Sequence, residues 1–183
     1  MMALEKYRKK RKFSKTSEPE GKKKARSSKK PIFVVQKHDA RNMHYDFRIE
    51  VEGVLKSWAV PKGPSLNPEE KRLAIETEDH PMDYADFEGV IPEGEYGGGT
   101  VMVWDKGTYK NIRAAKKDDG ADMKKSYGDG KIEVWLEGEK LKGGYVLIKT
   151  DYQENSWLVK KIEDGEADKR LNPVNTKTKS IKS

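Results

Sequence analysis

His44-Tyr45-Asp46-Phe47-Arg48-Ile49-Glu50-Val51 alternates polar and apolar side chains without a break. A period of two belongs to a β-strand, whose successive side chains point to opposite faces, and cannot form one apolar stripe on a helix. Tyr45, Phe47, Ile49 and Val51 therefore share a core face, and His44, Asp46, Arg48 and Glu50 share the other. Glu52-Gly53 supplies a tight turn, and residues 54–60 read as the antiparallel partner. Upstream, Ile32-Phe33-Val34-Val35 reads as a short strand, with His38 on the loop that follows. Downstream, Pro61, Gly63, Pro64, Asn67 and Pro68 form a long loop, after which short β-rich segments recur at 73–77, 100–104, 107–110, 132–136, 144–150 and 156–161. Helix is expected only in residues 1–12 and as a turn or two around 112–125, where Asp118-Asp119-Gly120 interrupts it. The pattern predicts a mainly β, compact single-domain barrel or sandwich with little helix. Trp58, Trp104, Trp135, Trp157 and Tyr109 are expected in its core.

The chain has 183 residues, 34% hydrophobic and 38% charged, which is room for one domain and one core. With no cysteine it has no disulfides, thiolate metal sites or cysteine nucleophiles. No apolar run approaches the roughly 18 to 20 residues of a membrane span, so a soluble, cytoplasmic monomer is expected. The net charge of +7 is unevenly spread. Residues 1–30 hold thirteen basic against three acidic side chains and 166–183 five against two, leaving twenty against twenty-six in 31–165. A mildly acidic domain, 31–165, thus carries a basic arm, 1–30, and a basic tail, 166–183. Such ends bury too little apolar surface to order themselves and bind polyanions by counterion release.

All three histidines, His38, His44 and His80, fall within one short stretch. On the polar face of the strand, His44, Asp46 and Arg48 stand in a row about 6 to 7 Å apart. His44 and Asp46 can grip one cation, with His38 folding over as a third ligand, and two imidazoles plus one carboxylate suit Mn, Fe or Zn with coordination positions left open. Arg48, next along, has the planar fork that holds two phosphate oxygens. His80, with Tyr84 four residues on, can supply a general acid and a hydrogen-bond donor to a phosphoryl oxygen. Lys62 and Arg72 bracket the proline-rich loop and add positive charge to the same cleft. An ordinary solvated sheet face accounts for any one of these residues; it is their clustering that points to a site. The glycine-rich stretch 92–99 lacks the Gly-Lys-Ser/Thr ending of a phosphate loop and leads into a strand, so it reads as a wide turn.

Gln36-Lys37-His38-Asp39-Ala40-Arg41-Asn42-Met43-His44-Tyr45-Asp46-Phe47-Arg48, then Trp58-Ala59-Val60-Pro61-Lys62-Gly63-Pro64, Glu78-Asp79-His80-Pro81 and Ile91-Pro92-Glu93-Gly94-Glu95-Tyr96-Gly97, resembles the 3′-phosphoesterase domain of bacterial DNA ligase D. The likeness runs from about Lys6 to about Lys161. It implies a β barrel with a crescent-shaped active-site groove and a manganese-dependent enzyme of nonhomologous end joining that removes 3′-phosphates and 3′-terminal ribonucleotides, leaving a 3′-hydroxyl. Carried over by motif, His38, His44 and Asp46 are the metal ligands, and Arg48 and His80 contact the scissile phosphate. Tyr84 assists there, Lys62 and Arg72 line the site, and Gln36 and Glu78 support it. The segment 11–19 resembles a part of the family that helps form the ribonuclease site, with Arg11 and Glu18 as the matching positions. Many relatives carry Asp where this chain has Lys12, which sets the ribonuclease expectation apart from the phosphatase one, and residues 118–122 have no place in the family pattern. The resemblance further implies DNA primer-template 3′ ends as substrate, and the length implies a free-standing domain with ligase and polymerase in trans. Two other classes share part of the signature. A His-x-Asp with a distant histidine is also the triad of non-heme iron oxygenases, and a nucleic-acid-binding barrel can hold a structural metal.

Overall fold

The computed structural model describes residues 3–21, 30–167 and 180–181. Nine strands, β1 Ile32–Asp39, β2 His44–Val51, β3 Val54–Val60, β4 Lys71–Pro81, β5 Gly89–Ile91, β6 Gly99–Asn111, β7 Lys131–Glu137, β8 Lys142–Lys149 and β9 Ser156–Lys161, form one antiparallel sheet. Its order is β1-β2-β3-β4-β9-β8-β7-β6-β5, and β1 also pairs with β6. That pairing closes eight strands into a barrel and leaves β5 as a flap on β6. Closure removes the unpaired edges that β1 and β6 would otherwise expose. Among the described residues, helix is limited to α1 Glu5–Lys9, α2 Ile112–Ala115, α3 Met123–Asp129 and a 3-10 turn at Met82–Asp86. The single β domain is as the sequence predicts.

The alternation in β2 sorts side chains between two packing regions. Phe47, Ile49, Trp58, Trp104, Trp157, Val134 and Leu147 fill the barrel interior with their neighbours. A second, smaller cluster lies outside the barrel wall, where Val34, Leu55 and Val103 meet Tyr7, Met82, Tyr84 and Ala85. Polar residues on the outer face of β1 to β4 can be buried because α1 and the 3-10 turn pack over them. The buried ring of Tyr7, which contributes on the order of 2 kcal/mol, anchors the segment, and its hydroxyl donates to the Pro19 carbonyl.

Several expectations change. β1 does not stop at Val35 but runs through His38, because β2 on one side and β6 on the other take up its backbone groups. Segments 100–104 and 107–110 are one thirteen-residue strand, β6. Asp105 lies between the two expected segments, and its carboxylate accepts from the backbone N–H groups of Glu139, Lys140 and Leu141, stapling the β7–β8 hairpin onto β6. A Cβ on Gly107 would sit 2.0 Å from the Glu137 carbonyl oxygen, so glycine there permits the close approach of β7. Trp135, expected in the core, is half-buried on the outside of β7. The basic arm is not wholly a tail, since residues 3–21 pack on the barrel. Lys22, Lys23, Lys24, Arg26 and Lys29, and residues 168–179 and 182–183 of the basic tail, lie outside the described residues. No helix among the described residues is long and apolar enough to cross a membrane.

Candidate active site

β1 and β2 are in register so that His38 stands opposite His44 and Gln36 opposite Asp46. Residues directly opposite in an antiparallel pair share a face, so one hairpin presents His38, His44 and Asp46 together on the outside of the barrel. Their ligand atoms lie within 4.8 Å of one another. His44 Nε2 is 3.2 Å and His38 Nδ1 3.5 Å from the two oxygens of Asp46. The other ring nitrogen of each histidine meets a backbone carbonyl, His38 Nε2 that of Gly97 at 2.7 Å and His44 Nδ1 that of Asn42 at 3.0 Å. A carbonyl accepts only, so each contact fixes an N–H there and turns the other ring nitrogen, the one a metal would take, toward Asp46. Two imidazoles and a carboxylate converging on one point fit a divalent transition metal. The glycine-rich turn, read from sequence as a mere bend, thus holds a site residue through the Gly97 carbonyl.

Arg48, the next residue on this face, is buried. Its Nε donates to Gln36 Oε1 at 2.7 Å and its Nη2 lies 3.5 Å from Asp46 Oδ2. Gln36 is itself fixed, its amide donating to the carbonyls of Tyr84 and Phe87. Tyr84 lies with its ring 4.8 Å from the guanidinium carbon. Arg48 Nη1 is buried with no acceptor among the described residues. Burial alone would raise the Asp46 carboxyl, but Arg48 and the two histidines outweigh it and hold it far below the usual carboxylate range. At His44 burial pulls the imidazole down, and Asp46 outweighs that and raises it.

His80, at the end of β4, has the opposite electrostatics. Burial, then the charges of Arg48 and Arg11, push its imidazole well below the ordinary histidine value. Its Nδ1 is 2.9 Å from the Glu78 carbonyl and its Nε2 is 3.5 Å from Arg11 Nη2. The ring is therefore neutral with an accepting Nε2, and an acid role there requires that it first take up a proton. Arg11 is the hub of the arm. Its Nε pairs with Glu18 at 3.0 Å, its Nη1 with Glu78 at 3.3 Å, and its guanidinium packs 4.0 Å from the Tyr7 ring. The Tyr84 hydroxyl donates to Glu18 at 2.6 Å, and burial, together with that carboxylate, keeps the phenol protonated.

His38, His44, Asp46, Arg48, His80, Tyr84, Glu78 and Arg11 line one hollow of about 320 Å³. Gln36 and Glu18 stand behind it, holding Arg48 and Arg11. Two expected residues are elsewhere. Arg72 is two positions from Ala74, whose side chain is in the barrel core, so Arg72 points to that face of β4 and pairs with Glu70 at 2.7 Å. Lys62 lines a neighbouring hollow. Conversely, Lys10, which pairs with Glu78 at 3.1 Å, and Tyr96, which lines the hollow, were not read from the sequence. A lysine in a basic run and a tyrosine in a glycine-rich turn carry no periodic signal that could single them out.

Comparison with known proteins agrees with this geometry. Residues 36–149 match the model of the DNA ligase D 3′-phosphoesterase domain. The chain is 47% identical over 167 residues to the multifunctional non-homologous end joining protein LigD of Pseudomonas aeruginosa, covering 90% of this chain and 19% of that protein. It is 44% identical over 164 residues to the multifunctional non-homologous end joining DNA repair protein LigD of Mycobacterium tuberculosis and 42% over 158 residues to LigD of Mycolicibacterium smegmatis. These matches cover 88% and 86% of this chain and 20% of each relative. The chain thus spans about a fifth of the length of the relatives it matches. With the family model matching well over half of its residues, the chain belongs to the DNA ligase D 3′-phosphoesterase domain family.

Proposed function

We propose that the chain is a metal-dependent DNA 3′-end-healing phosphoesterase, which removes a 3′-phosphate, and more weakly a 3′-terminal ribonucleotide, to leave a 3′-hydroxyl for ligase or polymerase in nonhomologous end joining. The observation that carries this reading is the buried, unpartnered Nη1 of Arg48 beside a two-histidine, one-carboxylate cluster. An unmade bond on a buried donor costs about 1 to 3 kcal/mol, and more on a charged group. A phosphate oxygen is the acceptor that a guanidinium fits best.

His38, through Nδ1, His44, through Nε2, and Asp46 would hold a divalent cation, for which manganese is our candidate. When bound, it withdraws charge from phosphoryl oxygens and lowers the pKa of a coordinated water. Arg48 binds a phosphoryl oxygen through its free Nη1 and stabilises the charge that gathers there in the transition state, in a pocket where water competes poorly. Gln36 fixes the plane of that guanidinium. His80, neutral and accepting at Nε2, can take a proton from the attacking water or from the phosphate. Arg11 faces the same nitrogen and helps anchor the phosphate. Glu18 holds Arg11 and Tyr84 in place, which keeps the arm closed over the site. Lys12, where the resemblance calls for a carboxylate, removes an acceptor that a ribose 2′-hydroxyl could use, hence the weaker ribonuclease.

Incubation of a 3′-phosphate primer-template with the protein and Mn²⁺, resolved on a denaturing gel, tests the reading. Conversion to a 3′-hydroxyl end is expected with metal, none with chelator, and none with His38→Ala or Asp46→Ala. Metal-independent product, or no product from the wild type, would overturn it.

A further inference from the structure

The site hollow does not end the concave surface. Along β3 the outward residue Ala59 lines the site, and the next outward residue, Pro61, lines a second hollow of about 560 Å³. Along β4, Thr77 lines the site and Leu73 the second hollow, four residues or about 13 Å away. The second hollow is completed by Lys62, Lys71, Thr150, Tyr152 and Leu158, and no carboxylate lines it.

Three features of its walls, and of Lys160 paired beside them, have no structural explanation. Lys71 of β4 is paired directly with Lys160 of β9, so two ammonium stems face the same side of the sheet. Like charges directly opposite destabilise a sheet, and neither lysine has an ion pair among the described residues. Next along, Leu73 faces Leu158 and leaves an apolar floor between the lysines and the site. Finally, Tyr152 at the tip of the β8–β9 hairpin is 79% exposed. That hairpin is not loose. The Ser156 hydroxyl bonds to the Thr150 hydroxyl at 2.6 Å and donates to the Gln153 carbonyl at 2.8 Å, and Asn155 takes a left-handed φ of 61°. A built hairpin thus holds an aromatic ring out into water.

We infer that this hollow binds an unpaired, single-stranded segment of the DNA whose 3′ end occupies the site. The inference rests on the function proposed above and adds the path of the strand. Lysines in a hollow that no carboxylate lines attract phosphates, in a domain whose body is net acidic. The apolar floor and Tyr152 offer a flat surface to the face of an unstacked base, the usual basis of sequence-tolerant single-strand binding. A continuous duplex keeps its bases stacked inside and would have no use for the floor.

Fluorescence anisotropy on the chelated protein, so that no turnover intervenes, compares a primer-template bearing a 5′ single-stranded overhang with a blunt duplex. The wild type is expected to bind the overhang DNA more tightly. Tyr152→Ala should weaken overhang binding by about five- to a hundredfold, as expected for the loss of a base stack, and leave blunt binding within about twofold. Tyr152→Phe should restore it. Lys71→Ala with Lys160→Ala should lower the slope of log affinity against log salt by roughly one per lysine. Equal affinity of the wild type for the two DNAs, or a Tyr152→Ala variant that binds the overhang as the wild type does, would overturn the inference. Failure of the phosphoesterase reading registers separately, as no wild-type turnover of the 3′-phosphate.

Discussion

At the scale of the residue, the site is organised around Asp46, whose two oxygens serve His38, His44 and Arg48. Gln36 completes the arrangement by accepting from Arg48 Nε. Replacing Gln36 with Leu removes that acceptor from a buried charged donor, at a cost of about 1.5 to 3 kcal/mol. If the guanidinium plane is what Gln36 secures, that cost appears in the transition state, and kcat on the 3′-phosphate substrate should fall by about ten- to a hundredfold. Metal affinity, read by titration calorimetry, should change little, because the ligands are untouched. His44, Asp46 and Arg48 were legible because strand alternation says which side chains share a face, whereas His38 was read as a loop residue folding over them and stands instead on β1. Lys62 stands in the neighbouring hollow and Arg72 on the core-facing side of β4, because proximity to a loop says nothing about facing. Arg72 takes its side from Ala74, and only the register of the folded sheet reveals that.

Among the elements, β2 and β3 were legible, since an unbroken alternation and a Glu-Gly turn leave no other solution. The C-terminal half of β1 was not, because Gln36, Lys37 and His38 interrupt its apolar run, and their place in the sheet is settled by β6, some sixty residues away. The excursion between β6 and β7 was legible only as helical turns. Its order comes from Arg113, which donates to Asp119 at 2.8 Å, to Asp129 at 3.1 Å and to the Lys131 carbonyl at 2.9 Å. Arg113 holds both carboxyls below their ordinary values. A carboxyl depressed on folding adds stability that is fully present above its unfolded pKa, about 3.9, and is lost as pH falls through the folded value. The Tm difference between the wild type and Arg113→Met should therefore be largest near pH 6 and shrink by pH 2.5 in thermal melts. The carbonyl bond, which does not titrate, should preserve a remainder.

For the whole molecule, the site bears on stability because β1, which supplies His38, is also the strand that closes the barrel against β6. A cation bound by the folded state alone adds RT ln(1 + [L]/Kd), about 2.7 kcal/mol at a hundredfold excess over Kd. For a domain of this size that corresponds to roughly 5 to 10 °C in Tm. Calorimetry with Mn²⁺ should show such a rise, and chelator or His44→Ala should abolish it. The same hairpin has a kinetic corollary. The ligands lie within nine consecutive residues, whereas the seam between β1 and β6 joins positions some seventy residues apart, such as Val35 and Asp105. Closing the short loop costs far less chain entropy than closing the long one. The hairpin is thus placed to form on the ascent to the transition state and the seam near its summit. In a stopped-flow chevron, metal should then speed refolding, with the unfolding limb moving less, so that the ion serves as a nucleation aid before it serves as a cofactor.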